Sequence, residues 1–400
     1  MKKKMMITCT VVLVTAAVIL GFVLKNQVRE NPDKNTVNVA IGQWGTTQNE
    51  SQNYWNPDNH AVAKGMGGYY FIQTTDGISK IAFFDETTQE AVAVCAKPEC
   101  THSDNTCNAY LCDMKQTGSA VDLTDTIYCY NGYLYLIQCE GGMGKLVRIH
   151  TDGSARETIA DLFANTGVSS ISLVFHENDV YAYDDTGHAG QEEEAEEVIK
   201  KISLTDGTEQ TVFSYTGTGA SIDRGRSFGD KLYFVIREYT KNKETKAVSS
   251  DYKGLFEYNF ATGDTRKVID ADVCDYHADT ENQTLFYFVQ GTGLYAYDMT
   301  QGSNTLIYPA EDELIQCKMS YDGKNLYLFN NGAGRATETK TRIQRYCYVL
   351  DTKGNQIAKI LCNGVVYFGD TDYLFEENGD NLEYMKKENL SDKSEWILIN

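Results

Sequence analysis

A short antiparallel unit at residues 127–162, rewritten again and again along the chain, constrains this sequence more than any other feature. It opens with an Asn131-Gly132 turn and the alternating run Tyr133-Leu134-Tyr135-Leu136. A second run follows, Lys145-Leu146-Val147-Arg148-Ile149, then a tight Asp152-Gly153 turn and a last stretch at Thr158-Ile159. Period-two alternation of aromatic and β-branched residues, broken by Asn-Gly and Asp-Gly pairs, is how hairpin-linked strands read. Taking Tyr69, Leu134, Val180, Leu232, Leu285, Leu326 and Tyr373 as equivalent positions gives seven copies. Their successive spacings are 65, 46, 52, 53, 41 and 47 residues. Periods of roughly 40–50 residues with about four strands apiece mark the blades of a β-propeller. One unit exposes two sheet faces it cannot bury alone, and radial stacking buries both. The expected fold is all-β: a propeller of seven blades of four antiparallel strands, with six or eight blades as alternatives. Only four prolines interrupt 400 residues, so the ladders run nearly unbroken.

The N-terminus is of another kind. Lys2, Lys3 and Lys4 precede an uncharged stretch, residues 5–24, closed by Lys25. Twenty residues rising about 1.5 Å each span roughly 30 Å, the thickness of a bilayer's hydrocarbon core. Lysines on the N-terminal side hold that end in the cytoplasm and send the remainder outside. Residues 1–25 thus read as a cytoplasmic stub and an uncleaved transmembrane helix, a cleaved signal peptide being the alternative. Residues 26–60, rich in Asn, Gln, Thr and Glu, read as an extracellular polar linker, with Trp44, Tyr54 and Trp55 out of place in it. Residues 61–400 form the propeller. The expected location is a cell membrane, single-pass, with the propeller extracellular.

The long first spacing holds a cysteine-rich loop, residues 95–112: Cys95, Cys100, His102, Cys107 and Cys112. Three readings stay open. Closely spaced cysteines in an exported chain form disulfides that pin a loop with little core, Cys112 included. Cys95, Cys100, His102 and Cys107 also supply three sulfurs and an imidazole, a set that suits structural zinc. Unpaired thiols in a reducing setting are the third. A catalytic cysteine lacks an orienting partner. Cys129, Cys274 and Cys317 fall just before the Tyr-Leu-Tyr-type strands, where a small buried residue suits the crowded axis.

The run Cys95-x-Lys97-Pro98-Glu99-Cys100-x-His102, then Cys107-Asn108-Ala109-Tyr110, with the basic apolar N-terminus and the repeats, resembles the uncharacterised exported TolB-like or DUF5050-like propeller proteins of Gram-positive gut anaerobes. The resemblance implies a surface-located propeller and carries no activity or catalytic residues. The chain departs from lipoprotein members in lacking an acceptor cysteine after the apolar run.

Lys plus Arg total 36 against 56 Asp plus Glu, a formal charge of −20. That balance speaks against nucleic acid, whose phosphates need clustered cations. Catalytic signatures such as a nucleophile elbow, a His-Glu-x-x-His pair or a phosphate loop are absent from the sequence. His60, His150, His176, His188 and His277 are scattered and read as surface or turn residues. Two insertions stand out: acidic residues 191–201, read as a short helical turn or solvated flap, and basic residues 237–253, read as an exposed loop. The function this supports is a membrane-tethered binding module for an extracellular protein or glycan. The alternatives are a carbohydrate-active enzyme with its site in the funnel, or a metal-stabilised sensor or structural module.

Overall fold

The computed structural model describes Val39 and residues 51–54, 61–113, 123–164, 171–184, 194–245, 248–311, 314, 317–330, 345–379, 381–388 and 390–399. These fall in one compact unit, residues 38–400. The apolar stretch 5–24 lies outside the described residues. Among those described, no helix is long and apolar enough to cross a membrane.

The chain is an all-β propeller of seven blades, each a four-stranded antiparallel meander taken in sequence order. Blade one comprises β1 (Val62–Gly65), β2 (Gly68–Thr75), β3 (Ile78–Asp85) and β4 (Ala91–Ala93), with β5 (Tyr110–Asp113) added. Blade two is β6 (Leu123–Tyr130), β7 (Tyr133–Glu140), β8 (Met143–His150) and β9 (Arg156–Ala164). Blade three is β10 (Ile171–His176), β11 (Asp179–Asp184), β12 (Glu194–Ser203) and β13 (Glu209–Thr218). Blade four is β14 (Ser221–Phe228), β15 (Lys231–Lys241), β16 (Val248–Asn259) and β17 (Thr265–Ile269). Blade five is β18 (Val273–Asp279), β19 (Thr284–Val289), β20 (Gly293–Asp298) and β21 (Ser303–Pro309). Blade six is β22 (Lys318–Tyr321), β23 (Asn325–Phe329), β24 (Arg345–Asp351) and β25 (Gln356–Cys362). Blade seven is β26 (Val365–Tyr367), β27 (Tyr373–Asn378), β28 (Asn381–Lys386) and β29 (Ile397–Leu398).

The Tyr-Leu-Tyr-type run is the second strand of every blade, and the first strands contact one another around the axis. A second strand is covered on both faces by neighbouring blades, so its residues bury in succession rather than alternately: Leu232 to Ile236 in β15 are all buried. Cys129, Cys274 and Cys317 fall on or beside first strands, where the spacing puts them.

Among the described strands, none from one end of the chain completes a blade at the other end. Side chains close the ring instead. Tyr69 and Phe84 of blade one pack with Tyr367, Phe375 and Tyr384 of blade seven. The Tyr69 ring lies 4.8 Å from Phe375 and 5.5 Å from Tyr373, and its hydroxyl donates to Asp370 Oδ2 at 2.7 Å.

Both insertions depart from the sequence reading. Residues 194–201 of the acidic one belong to strand β12, not to a helical turn, and pair with β13 from Glu194↔Thr218 onward. Alternate residues of β12 bury, Glu197 among them, so sheet pairing overrides the local helical spacing. The basic segment extends β15 and β16 into a long hairpin, Lys241 opposite Val248.

Candidate functional site

Two places gather chemistry. The first is the cysteine loop. It interrupts the outermost strand of blade one: β4 pairs with Ala82–Phe84 of β3, and β5 with Ile78–Lys80. Between them the chain turns through backbone bonds from Cys100 N to Lys97 O, Cys107 N to Asp104 O and Tyr110 N to Cys107 O. These turns bring the ligating atoms of Cys95, Cys100, His102 and Cys107 within 4.8 Å of one another. His102 Nδ1 sits 3.3 Å from Cys107 Sγ. His102 holds a left-handed backbone, φ 55°, which is uncommon for a side-chain-bearing residue and sets where its ring projects. Cys95 and Cys100 are half-buried and Cys107 is buried. Burial pushes the Cys107 thiol up to about 11, whereas the His102 backbone N–H holds Cys100 below the ordinary range. Cys112 stands apart on β5, opposite Ser79.

The second place is the channel. The first strands of blades four and five break the apolar alternation: Ser221-Ile-Asp223-Arg224-Gly-Arg226-Ser227-Phe228 and Val273-Cys-Asp275-Tyr-His277-Ala-Asp279. All these residues are buried. A bulge at Arg224-Gly225, with Arg224 at φ 61°, shifts the register so that Arg226 faces the next blade. A Cβ on Gly225 would meet the Tyr183 ring at 2.6 Å, so the bulge accommodates only glycine there. Arg226 Nη1 donates to Asp275 Oδ1 at 2.7 Å and Nη2 to Met319 O at 3.0 Å, tying blades four, five and six at the axis. Where blades three and four meet, burial and the charges of Asp184 and Asp223 push the Glu197 carboxyl up to about 8.

At one mouth of the channel, Ser51–Tyr54 makes a single 3-10 turn within the stretch read as a linker. The Gln52 side-chain amide pairs both ways with Phe175, accepting from its N–H at 2.9 Å and donating to its carbonyl at 2.8 Å. Asn53 donates to Ser227 O at 2.5 Å, and its own carbonyl lies 2.9 Å from His277 Nε2. Exposed backbone on an inner strand needs partners, and the two amides supply them. His277 is thus buried, not a surface residue. Burial, then the nearby Arg226 guanidinium, hold its imidazole down to about 4.

Beside this turn opens a cavity of about 990 Å³ whose lining includes Asn53 and His277. Six carboxylates border it, Glu86, Asp279, Glu281, Asp322, Asp372 and Glu388, against Lys324, Lys386 and Lys387. Part of this charge is internally compensated: Lys387 pairs with Asp322 at 3.1 Å, and Tyr321 donates to Asp279 at 2.8 Å. Glu281, Asp372 and Glu388 are exposed, and Phe228, Tyr321 and Tyr373 supply aromatic wall. Among the described residues, the only group of His, Cys, Asp and Glu close enough to share an ion is the cysteine loop.

The sequence reading singled out the cysteine loop and missed the channel residues. Their signal was present as charged residues replacing apolar ones in two first strands, but nothing local says that those strands meet.

The fold is that of the β-propellers. No family model matches the chain, and no curated protein matches it either. Solved structures similar to it include a puromycin hydrolase, 10% identical, TM-score 0.52, over 90% of this chain and 57% of that one. An oligogalacturonate lyase from Vibrio parahaemolyticus is 10% identical, TM-score 0.51, with 88% of each chain covered. TolB from Acinetobacter baumannii is 14% identical, TM-score 0.41, over 80% of this chain and 77% of that one. At these identities the likeness is one of fold.

Proposed function

We propose that this protein is a membrane-tethered extracellular binding module whose channel mouth receives a basic segment of a partner protein. The observation that carries the reading is the open cavity, where six carboxylates face three lysines. Concave sites with a few aromatic walls and converging charge are where propellers and other folds hold ligands. A Lys- or Arg-rich segment gains charge-assisted bonds to Glu281, Asp372 and Glu388. The apolar, lysine-flanked N-terminus supports tethering, with the linker carrying the propeller away from the bilayer.

Titration of the full chain in detergent with an oligolysine peptide and with neutral oligosaccharides tests this. Cationic peptide should bind, weaken steeply between low and physiological salt, and lose affinity in Glu281→Gln with Asp372→Asn. Saccharide binding that ignores salt, with no peptide binding, would replace the partner reading with the glycan one. Turnover of a saccharide would make the protein an enzyme.

A further inference from the structure

We propose that Cys95, Cys100, His102 and Cys107 bind one zinc ion as a closed Cys3His site that locks the junction of blades one and two. Zinc takes tetrahedral sulfur and nitrogen ligands at about 2.3 and 2.0–2.1 Å, which places donors roughly 3.4–3.8 Å apart. All four ligating atoms here lie within 4.8 Å of one another, and the His102–Cys107 pair is already at 3.3 Å. Closing to bonding distance needs only side-chain movement of a fraction of an ångström to about one.

Further features fit a zinc ion here. Three sulfurs can make a single bridge and would strand the third beside it, and the fourth nearby cysteine, Cys112, sits outside the group on β5. The left-handed turn at His102 delivers an imidazole to the sulfurs, which a disulfide does not use. The donor set is soft, which selects zinc over calcium or magnesium. Lys97 is placed to offset the thiolate charge: its backbone N–H lies 3.5 Å from Cys95 Sγ, and its ammonium bonds the Thr106 carbonyl across the loop.

The surroundings say what the ion holds. Cys107 and Ala109 are buried in the cluster between blades one and two, with Cys95 and Cys100 packed against it. The Asp152-Gly153 turn of blade two fits so tightly that a Cβ on Gly153 would meet Val94 O at 2.5 Å and Cys95 Cα at 2.8 Å. Asn108 donates to Gly153 O at 2.8 Å, and Arg156 reaches back to Tyr110 O at 2.7 Å. The loop has few strand bonds of its own, so an ion at its centre fixes both β5 and the contact with blade two.

Elemental analysis of the full chain, purified under reducing conditions, tests the assignment. One zinc per chain should survive dialysis and be withdrawn by a strong chelator, with faster protease cutting inside residues 95–112. Cys100→Ser and Cys107→Ser should each weaken zinc retention by at least about tenfold, while Cys112→Ser keeps it. Should a ligand variant fail to fold, cobalt substitution of the unaltered chain decides: tetrahedral visible bands with thiolate charge-transfer absorption support three sulfur ligands. A metal-free chain would overturn the proposal, whether its thiols are free or, in a sample prepared without reductant, its mass lacks the two hydrogens of a bridge. So would zinc retained in both ligand variants, or an octahedral cobalt spectrum.

Discussion

Replacing Asp275 by Asn probes how the propeller holds its axis. Asp275 is fully buried and Arg226 is 1% exposed. The carboxylate takes the Arg226 guanidinium at 2.7 Å on Oδ1, and the backbone N–H groups of Tyr276 at 2.8 Å and Met319 at 2.7 Å. Asparagine keeps the volume but removes the charge and turns one acceptor into a donor facing a donor. The Arg226 cation is then left with neutral acceptors only, the amide oxygen and the Tyr276 and Met319 carbonyls. Breaking a buried pair on one side costs about 3–5 kcal/mol, because the remaining charge stays desolvated. With a urea dependence of about 3 kcal/mol/M for a domain this size, the unfolding midpoint should fall by roughly 1–2 M. Arg226→Met should cost a similar amount. The double variant should cost less than the sum of the two by about 1–3 kcal/mol, since neither charge is stranded. Equilibrium urea unfolding at pH 7, followed by tyrosine fluorescence and by circular dichroism, measures all four proteins. A loss under about 1 kcal/mol for Asp275→Asn, or strict additivity, would refute the assignment of the pair as the joint of blades four to six.

Two buried groups give pH dependences of opposite sign. His277 titrates near 6.5 unfolded and about 4 folded, so stability present above pH 6.5 drains away as pH falls toward 4. The contribution is about 3 kcal/mol, and His277→Gln should flatten that part of the stability–pH curve; an unchanged slope contradicts its burial. Glu197 titrates near 4.5 unfolded and about 8 folded, so its contribution is present at low pH and lost as pH rises toward 8. Glu197→Gln should therefore gain stability relative to the parent at pH 8, by one to a few kcal/mol, read from paired melts at pH 5 and pH 8. At the ring closure, Tyr69→Phe removes the hydroxyl bond to Asp370 Oδ2, an oxygen that keeps Lys64 at 3.2 Å, and should cost about 0.5–1.5 kcal/mol, while Tyr69→Ala should cost about 3–5. Denaturation midpoints that do not separate these two variants would argue that the aromatic seam does not carry the closure.

The repeat was legible because its physics is local. Alternation in Tyr133 to Leu136 and turns such as Asp152-Gly153 depend on neighbours two to five residues away, so strand positions and blade period follow from the sequence, while the structure decides for seven blades over six or eight. The grouping of Cys95, Cys100, His102 and Cys107 was legible for a related reason: these residues lie close along the chain, and short turns gather them. The acidic insertion's Glu-to-Lys spacing also suits a helix and the basic insertion reads as a loop, and only pairing with β13, or of β15 with β16, decides for strand.

What lies at the axis belongs to the tertiary structure alone. Arg226, Asp275 and Met319 come from three blades, and Gln52 and Asn53 reach Phe175, Ser227 and His277 across more than a hundred residues. No period or motif records such meetings. The sequence determined by itself that similar sheets must stack and bury both faces. Which charged side chains meet once the ring closes depends on the bulge at Arg224, on side-chain closure between Tyr69 and Asp370, and on the turn that enters the channel mouth. Those contacts exist only after the chain has come full circle, because each desolvated charge is tolerable only beside a partner that the ring delivers.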